Sequence, residues 1–233
     1  PMGGFNISPN PTLLENFAQV YMSMGHTAEE VAKRFNISRN DQDAMAVESH
    51  AKATAARESG LFRDELVAIS TPEGLVETDG CIRPGTHLEA LAQLKPAFGG
   101  SVTAGTASPL TDGSAAMLVC SEDFARRHRL NIFARIKAVA VGGCAPEIMG
   151  MGPVVATRKV LQRAGLRIED IDLVEINEAF ASQSLACVRE LGLDMAKVNL
   201  DGGALALGHP LGATGARITG KAASLLQRTG GRY

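Results

Sequence analysis

Aromatic side chains are scarce: they make up 4% of the 233 residues, and tryptophan is absent. Stacking platforms for single-stranded nucleic acid therefore have little to be built from. Charge of one sign is missing as well. Lys and Arg number 23 against 25 Asp and Glu, a formal net charge of −2, which excludes the basic face of a nucleic-acid binder. No apolar run approaches the roughly 18 residues of a membrane span. The start, Pro1-Met2-Gly3-Gly4-Phe5, has neither the charged nor the apolar region of a signal peptide. It also lacks a leading Met, so the chain reads as cut from something longer. The four cysteines, Cys81, Cys120, Cys144 and Cys187, are widely spaced with no CxxC pair. This spacing argues against structural zinc and against a disulfide framework, and it fits a reducing cytoplasm or organelle matrix.

What remains is an ordinary globular composition, 45% hydrophobic and 21% charged, with 25 glycines. Residues 1–22 hold prolines and little periodicity and read as a loop. Helical patterning starts at Thr27, and Ser38 offers a second N-cap for a long helix over 41–58 that Gly60 stops. Short strands are expected at 66–69 and 101–104, and a short helix at 86–94 ahead of Pro96. The apolar run 115–120 predicts a buried strand, 122–127 a helix and 136–141 another strand. From Pro153 onward helices over 153–164, 178–191 and 213–228 alternate with strands at 172–176 and 197–200. That alternation predicts an α/β layer, with chemistry in loops beyond the strand ends.

Asn177 and His209 both fall in such loops. The Gly-rich run from Gly202 to Gly215 contains no GxGxxG. The stretch from Gly215 to Lys221 matches GxxxxGK, but Ala222 stands where a P-loop needs Ser or Thr, and these residues are expected mid-helix. The run is better read as a tight loop presenting the His209 imidazole, its glycines letting backbone approach a ligand closely. The other histidines, His26, His50, His87 and His128, sit in helical or polar settings and are read as structural. Asn177 by itself reads as a helix N-cap. The small-residue stretch from Val102 to Gly113 suits either a polar turn or a narrow channel for an elongated ligand.

Taken together, Asn177-Glu178-Ala179-Phe180-Ala181, the run from Asn199 to Arg217 and the Val102–Ser108 stretch with Asp112-Gly113-Ser114 closely resemble the thiolases. Residues 24–29, 39–43 and 150–153 fit the same family, and Thr106 resembles the degradative 3-ketoacyl-CoA thiolases. The resemblance implies an α/β, thiolase-like fold that is incomplete here. Residues 1–107 would be a loop domain that binds CoA, 108–122 a remnant strand of the N-terminal half, and 123–233 a truncated C-terminal half. Exposed apolar surface is expected where the first half would pack.

The implied function is that of part of an acetyl-CoA acyltransferase, cleaving 3-ketoacyl-CoA with CoA. His209 would activate the nucleophilic thiol, and Asn177 would fix a water in an oxyanion hole. Met24, Arg83, Phe98, Ala107, Ser108, Leu110 and Phe180 would contact CoA or substrate, with Arg83 near the nucleotide end. Coenzyme A would be a substrate, with no further cofactor and no metal. The implied partners are acyl-CoA and CoA, with no nucleic acid. The parent protein is expected to be a homodimer or tetramer, within reach of a fatty-acid oxidation complex. Both family cysteines would lie outside this chain, which is thus expected to be inactive alone. The alternative is a non-catalytic CoA-binding relative.

Overall fold

A computed structural model describes residues 8–233. The element order is α1 (Pro11–Phe17), α2 (Met24–Arg34), α3 (Arg39–Glu58), β1 (Ile69–Thr71), β2 (Gly74–Val76), α4 (Leu88–Ala92), α5 (Glu122–Arg127), α6 (Gly152–Ala164), α7 (Ala181–Leu191), α8 (Ala204–Leu207) and α9 (Leu211–Thr229). The caps explain most boundaries. Ser38 and Asp41 exchange side-chain and backbone hydrogen bonds at the head of α3, which satisfies two of the free N–H groups there. Gly165, Gly192 and Gly230 end α6, α7 and α9 in left-handed conformation. The GxxxxGK stretch lies inside α9, so it forms no phosphate loop.

The buried centre is α7. Its residues from Ala181 to Val188 are all buried, and small side chains on it let neighbouring helices approach closely. Val31 and Ala32 of α2, Met45 and Ala46 of α3, Met151 and Val154, and Val198 and Leu205 join it in one apolar cluster. The Ser182 hydroxyl donates to the Ala28 carbonyl at 3.0 Å, tying α7 to α2. A smaller cluster of Ala53, Ala56, Phe62, Ile82 and Ala206 lies at the other end of α3.

Regular sheet is sparse. β1 and β2 form an antiparallel hairpin with Ile69 opposite Val76. Single bridges join Pro96 to Thr103 and Ala107 to Phe180 antiparallel, and Val174 to Val198 parallel. The last is extended by the Asn199 side chain, whose Oδ1 accepts from Ile176 N at 2.8 Å and whose Nδ2 donates to Ile176 O at 2.9 Å. The expected strands at 172–176 and 197–200 thus meet side by side, although the ladder is short.

Several expectations are corrected. Residues 11–17, read as loop, are helical, because Asn10 caps Leu13 N and Pro11 occupies the first turn. Residues 1–7 of that reading lie outside the described residues. The run 115–120, expected as a buried strand, has no regular structure and is exposed, with Leu118 at 70%. The run 136–141 behaves alike. A strand exists through its neighbours' hydrogen bonds, and among the described residues neither run has a ladder partner. Side chains hold the second run instead: Lys159 Nζ donates to Val141 O at 3.1 Å and Arg163 Nη1 to Val139 O at 2.6 Å.

Candidate active site

The loop entered from residues 172–176 and the loop before α9 meet at one pair of side chains. Asn177 Nδ2 lies 3.2 Å from His209 Nε2. His209 Nδ1 lies 2.7 Å from Thr214 Oγ1, and the Thr214 hydroxyl donates to the Pro210 carbonyl at 3.0 Å. This order of donors fixes the tautomer. Thr214 gives its proton to Pro210, so it accepts from Nδ1–H. Nε2 then carries the lone pair and accepts from the Asn177 amide. Burial, and after it the charge of Arg217, holds the His209 pKa below the ordinary imidazole value. The result is a neutral base at neutral pH, oriented through its second nitrogen. Among the described residues the Asn177 Oδ1 is buried without a partner, an open acceptor beside that base.

The loop glycines act differently from the sequence expectation. A Cβ on Gly202, where φ is +84°, would lie 2.7 Å from both the Ala53 Cβ and the Ser49 carbonyl oxygen. One on Gly203 would meet the Glu178 carboxyl. The backbone here approaches α3 and a buried carboxyl rather than a ligand. Glu178 is the hub that fixes this approach. It accepts from Ser49 Oγ at 2.6 Å, Asn199 Nδ2 at 2.7 Å and Leu205 N at 3.1 Å. Burial pushes its pKa up despite these donors. Gly208 does take a conformation that favours glycine, φ +90°, and is approached by Thr111.

Thr111 belongs to a segment that connects the other expected contacts. Ala181 N donates to Thr106 O and Ser108 N to Ala179 O, both at 2.9 Å. Ala107 and Ser108 therefore run beside Phe180, and the chain continues past Gly208 to Gly113, packed on Pro210. Phe98 meets Phe180 edge-on at 6.5 Å and His26 at 6.0 Å. It is set there by Glu29, whose carboxylate accepts from Ser101 N and Val102 N at 2.8 Å. Met24 is the first residue of α2, next to Gly25, which faces the Phe98 ring. Asn177 and His209 thus form one pair; Phe98, Phe180, Ala107 and Ser108 adjoin one another, and Met24 is the chain neighbour of Gly25. Leu110 is 97% exposed and stands apart. Arg83 lies elsewhere too, in an open groove of about 290 Å³ with His50, Thr54, Glu58 and Thr86.

Among the described residues no cysteine sulfur is hydrogen-bonded to His209. Cys187 is fully buried in α7, its pKa pushed up to about 11 by burial. Cys120 is exposed, which corrects its expected burial, and Cys81 and Cys144 are half-buried. Sequence reading gave Thr214, Glu178 and Asn199 no role of their own. Thr214 had a usable signal: a hydroxyl five residues past His209, in the first turn after a proline. Among the described residues no group of three metal-ligating side chains occurs, and no helix is long and apolar enough to cross a membrane.

The thiolase N-terminal domain model matches residues 8–123 and the thiolase C-terminal domain model residues 130–233. The chain is 48% identical over 235 residues to a 3-ketoacyl-CoA thiolase of Vibrio parahaemolyticus, covering 96% of this chain and 60% of that protein. It is 45% identical to one from Bacillus subtilis, at 94% and 60% coverage. The dimeric peroxisomal thiolase of Saccharomyces cerevisiae superposes with a TM-score of 0.91 at 42% identity, over 96% of this chain and 58% of that one. Human mitochondrial 3-ketoacyl-CoA thiolase in complex with CoA gives 0.86 at 44%, over 92% and 55%. The chain spans about 60% of the length of the curated relatives it matches. It belongs to the thiolase family.

Proposed function

We propose that the protein is part of a 3-ketoacyl-CoA thiolase, an acetyl-CoA acyltransferase that splits 3-ketoacyl-CoA with CoA into acetyl-CoA and a shortened acyl-CoA. The observation that carries this reading is the neutral His209, its Nδ1 proton held by Thr214 and its Nε2 lone pair facing the Asn177 amide. Once a thiol takes the place of the Asn177 amide at Nε2, such an imidazole takes its proton and makes the thiolate that attacks the 3-keto carbon. Cleavage of the bond between the α- and β-carbons leaves the acyl group on that thiol and releases acetyl-CoA. The thiolate of incoming CoA then takes up the acyl group. Asn177, with an open buried acceptor, orients a water at the carbonyl oxygen where charge develops. In this reading the attacking thiol and the second, proton-shuttling thiol come from the rest of the whole protein.

Met24, Phe98, Phe180, Ala107 and Ser108 line the channel for the pantetheine arm, with Leu110 at its open end and Arg83 toward the nucleotide. Residues 1–107 form the CoA-binding loop domain, 108–122 the edge of the first half and 123–233 the second half. Coenzyme A is a substrate and no other cofactor is required. The whole protein is a homo-oligomer of the cytoplasm or an organelle matrix, acting in fatty-acid oxidation.

His209→Ala in the complete enzyme tests the reading. Thiolysis, followed by loss of 3-ketoacyl-CoA enolate absorbance, should fall on the order of 10²–10⁴-fold, with the circular dichroism spectrum unchanged. Turnover near that of the unaltered enzyme sinks the assignment and favours a non-catalytic CoA-binding role.

A further inference from the structure

Glu178 has no task in the reaction proposed above, yet it is buried, at 3% exposure, directly after Asn177. A carboxyl is costly to bury. Its three donors come from three separate parts of the chain: Ser49 of α3, Asn199, and Leu205 of α8. Two of these lead on to the pair of Asn177 and His209, and the third anchors them.

Asn199 carries the link toward Asn177. Its backbone is left-handed, with φ +46°, a conformation that Asn tolerates better than most residues. Its side chain binds both the N–H and the carbonyl of Ile176, at 2.8 and 2.9 Å, and the same Nδ2 reaches Glu178 Oε1. The residues on either side of Asn177 are therefore fixed to one side chain. The Ser184 hydroxyl holds the Asn177 carbonyl itself, donating to it at 3.2 Å. Leu205 carries the link toward His209. Leu205 N and Ser49 Oγ meet the same carboxyl oxygen, Oε2, and Gly203 N donates to Ser49 Oγ at 3.1 Å. The turn of α8 closes on these anchors. Leu207 N donates to Gly203 O and Gly208 N to Ala204 O, both at 2.9 Å, and His209 follows. A second hold from α3 is Lys52, whose Nζ donates to Val198 O at 3.0 Å, next to Asn199.

We infer that Glu178 is a positioning residue for Asn177 and His209, and that with Ser49 it ties both of their loops to α3. The inference rests on the reading of that pair as catalytic. One carboxyl sets the separation across which Asn177 Nδ2 meets His209 Nε2 at 3.2 Å. Because α3 lies in the part of the chain read above as the CoA-binding domain, that domain and the base are joined through the Ser49 hydroxyl. A carboxyl is needed here because it accepts at both oxygens. An amide of the same shape offers one acceptor and turns N–H donors on the other position, so Glu178→Gln must break either the Asn199 link or the link to Ser49 and Leu205.

The test is ¹⁵N NMR of His209 in the 233-residue chain, assigned by its loss in His209→Ala. The Nε2 resonance depends on whether its lone pair accepts a hydrogen bond, and Asn177→Ala marks the position without the Asn177 amide. Glu178→Gln should move the resonance toward that position, and Ser49→Ala should move it the same way. Ser182→Ala, which removes the tie between α7 and α2 outside this network, should leave it in place. In the complete enzyme Glu178→Gln should lower kcat by on the order of 10- to 100-fold, with KM for 3-ketoacyl-CoA little changed. An unmoved resonance in folded Glu178→Gln overturns the inference, as does an equal movement in Ser182→Ala. Should Glu178→Gln fail to fold, Ser49→Ala decides by the same resonance, and no movement there means that the carboxyl does not hold the pair. The resonance needs no turnover. If His209→Ala leaves the complete enzyme active, the catalytic reading falls, and the resonance still decides whether Glu178 sets the pair.

Discussion

At the scale of single residues the interior around the site is held by groups that stay uncharged. Glu175 titrates near 8 in the folded chain and near 4.5 when exposed in the unfolded one. Below pH 4.5 it is protonated in both states and costs nothing. As pH rises from there, the unfolded chain ionises it while the folded chain keeps its proton, so the unfolded state gains and stability falls. The loss is complete once pH passes 8. Glu175→Gln removes this dependence. Urea unfolding should therefore show the variant more stable than the unaltered chain at pH 8, by a few kcal/mol, and close to it at pH 4.5. A variant that is less stable at pH 8 would mean that Glu175 is ionised and paired.

At the scale of elements, α2 and α7 approach through small residues, and the loop glycines approach α3 in the same way. This is where the sequence was readable and where it was not. Helix ends could be read because caps are local: Ser38 with Asp41, Gly165, Gly192 and Gly230 each act within one turn. The pair Asn177 and His209 was legible through the family resemblance, and Thr214 carried a signal in its spacing from His209, while Glu178 acts through tertiary contacts that spacing does not display. The strands expected at 115–120 and 136–141 failed because apolar runs state a preference for burial and not the partner that provides it. One approach has a functional consequence. A Cβ on Gly25 would lie 2.3 Å from the Phe98 ring, so Gly25→Ala must displace that ring from its place beside Phe180. The unaltered chain should bind CoA weakly by calorimetry, through Met24, Phe98, Phe180 and Ser108, and Gly25→Ala should lose most of that heat. Equal binding by both would show that Phe98 lines no CoA site.

At the scale of the whole molecule, the described residues carry an imidazole with no thiol bonded to it and an apolar face without a cover. Leu118, Val119, Ile136, Val139 and Val141 are each more than half exposed, along the two runs that lack ladder partners. Acyl transfer through a covalent intermediate needs a thiolate against a base. A thiol becomes reactive at neutral pH when a cation or a helix N-terminus lowers its pKa. Cys187 is the reverse case, buried and raised to about 11. The Cys144 sulfur lies near the Ile148 and Met149 carbonyls, which are acceptors and give a thiolate no support. Cys120 is exposed on an irregular segment, and Cys81 lies before Arg83, near the groove on the far end of α3. The purified 233-residue chain should accordingly show no thiolysis of 3-ketoacyl-CoA. Adding a separately expressed first half of a thiolase, with its strand edges and its cysteine, should cover the apolar runs and restore measurable turnover if the second thiol is supplied as well. Turnover by the chain alone that iodoacetamide abolishes would require one of these four cysteines to reach His209, and it would overturn this account of where the nucleophile resides.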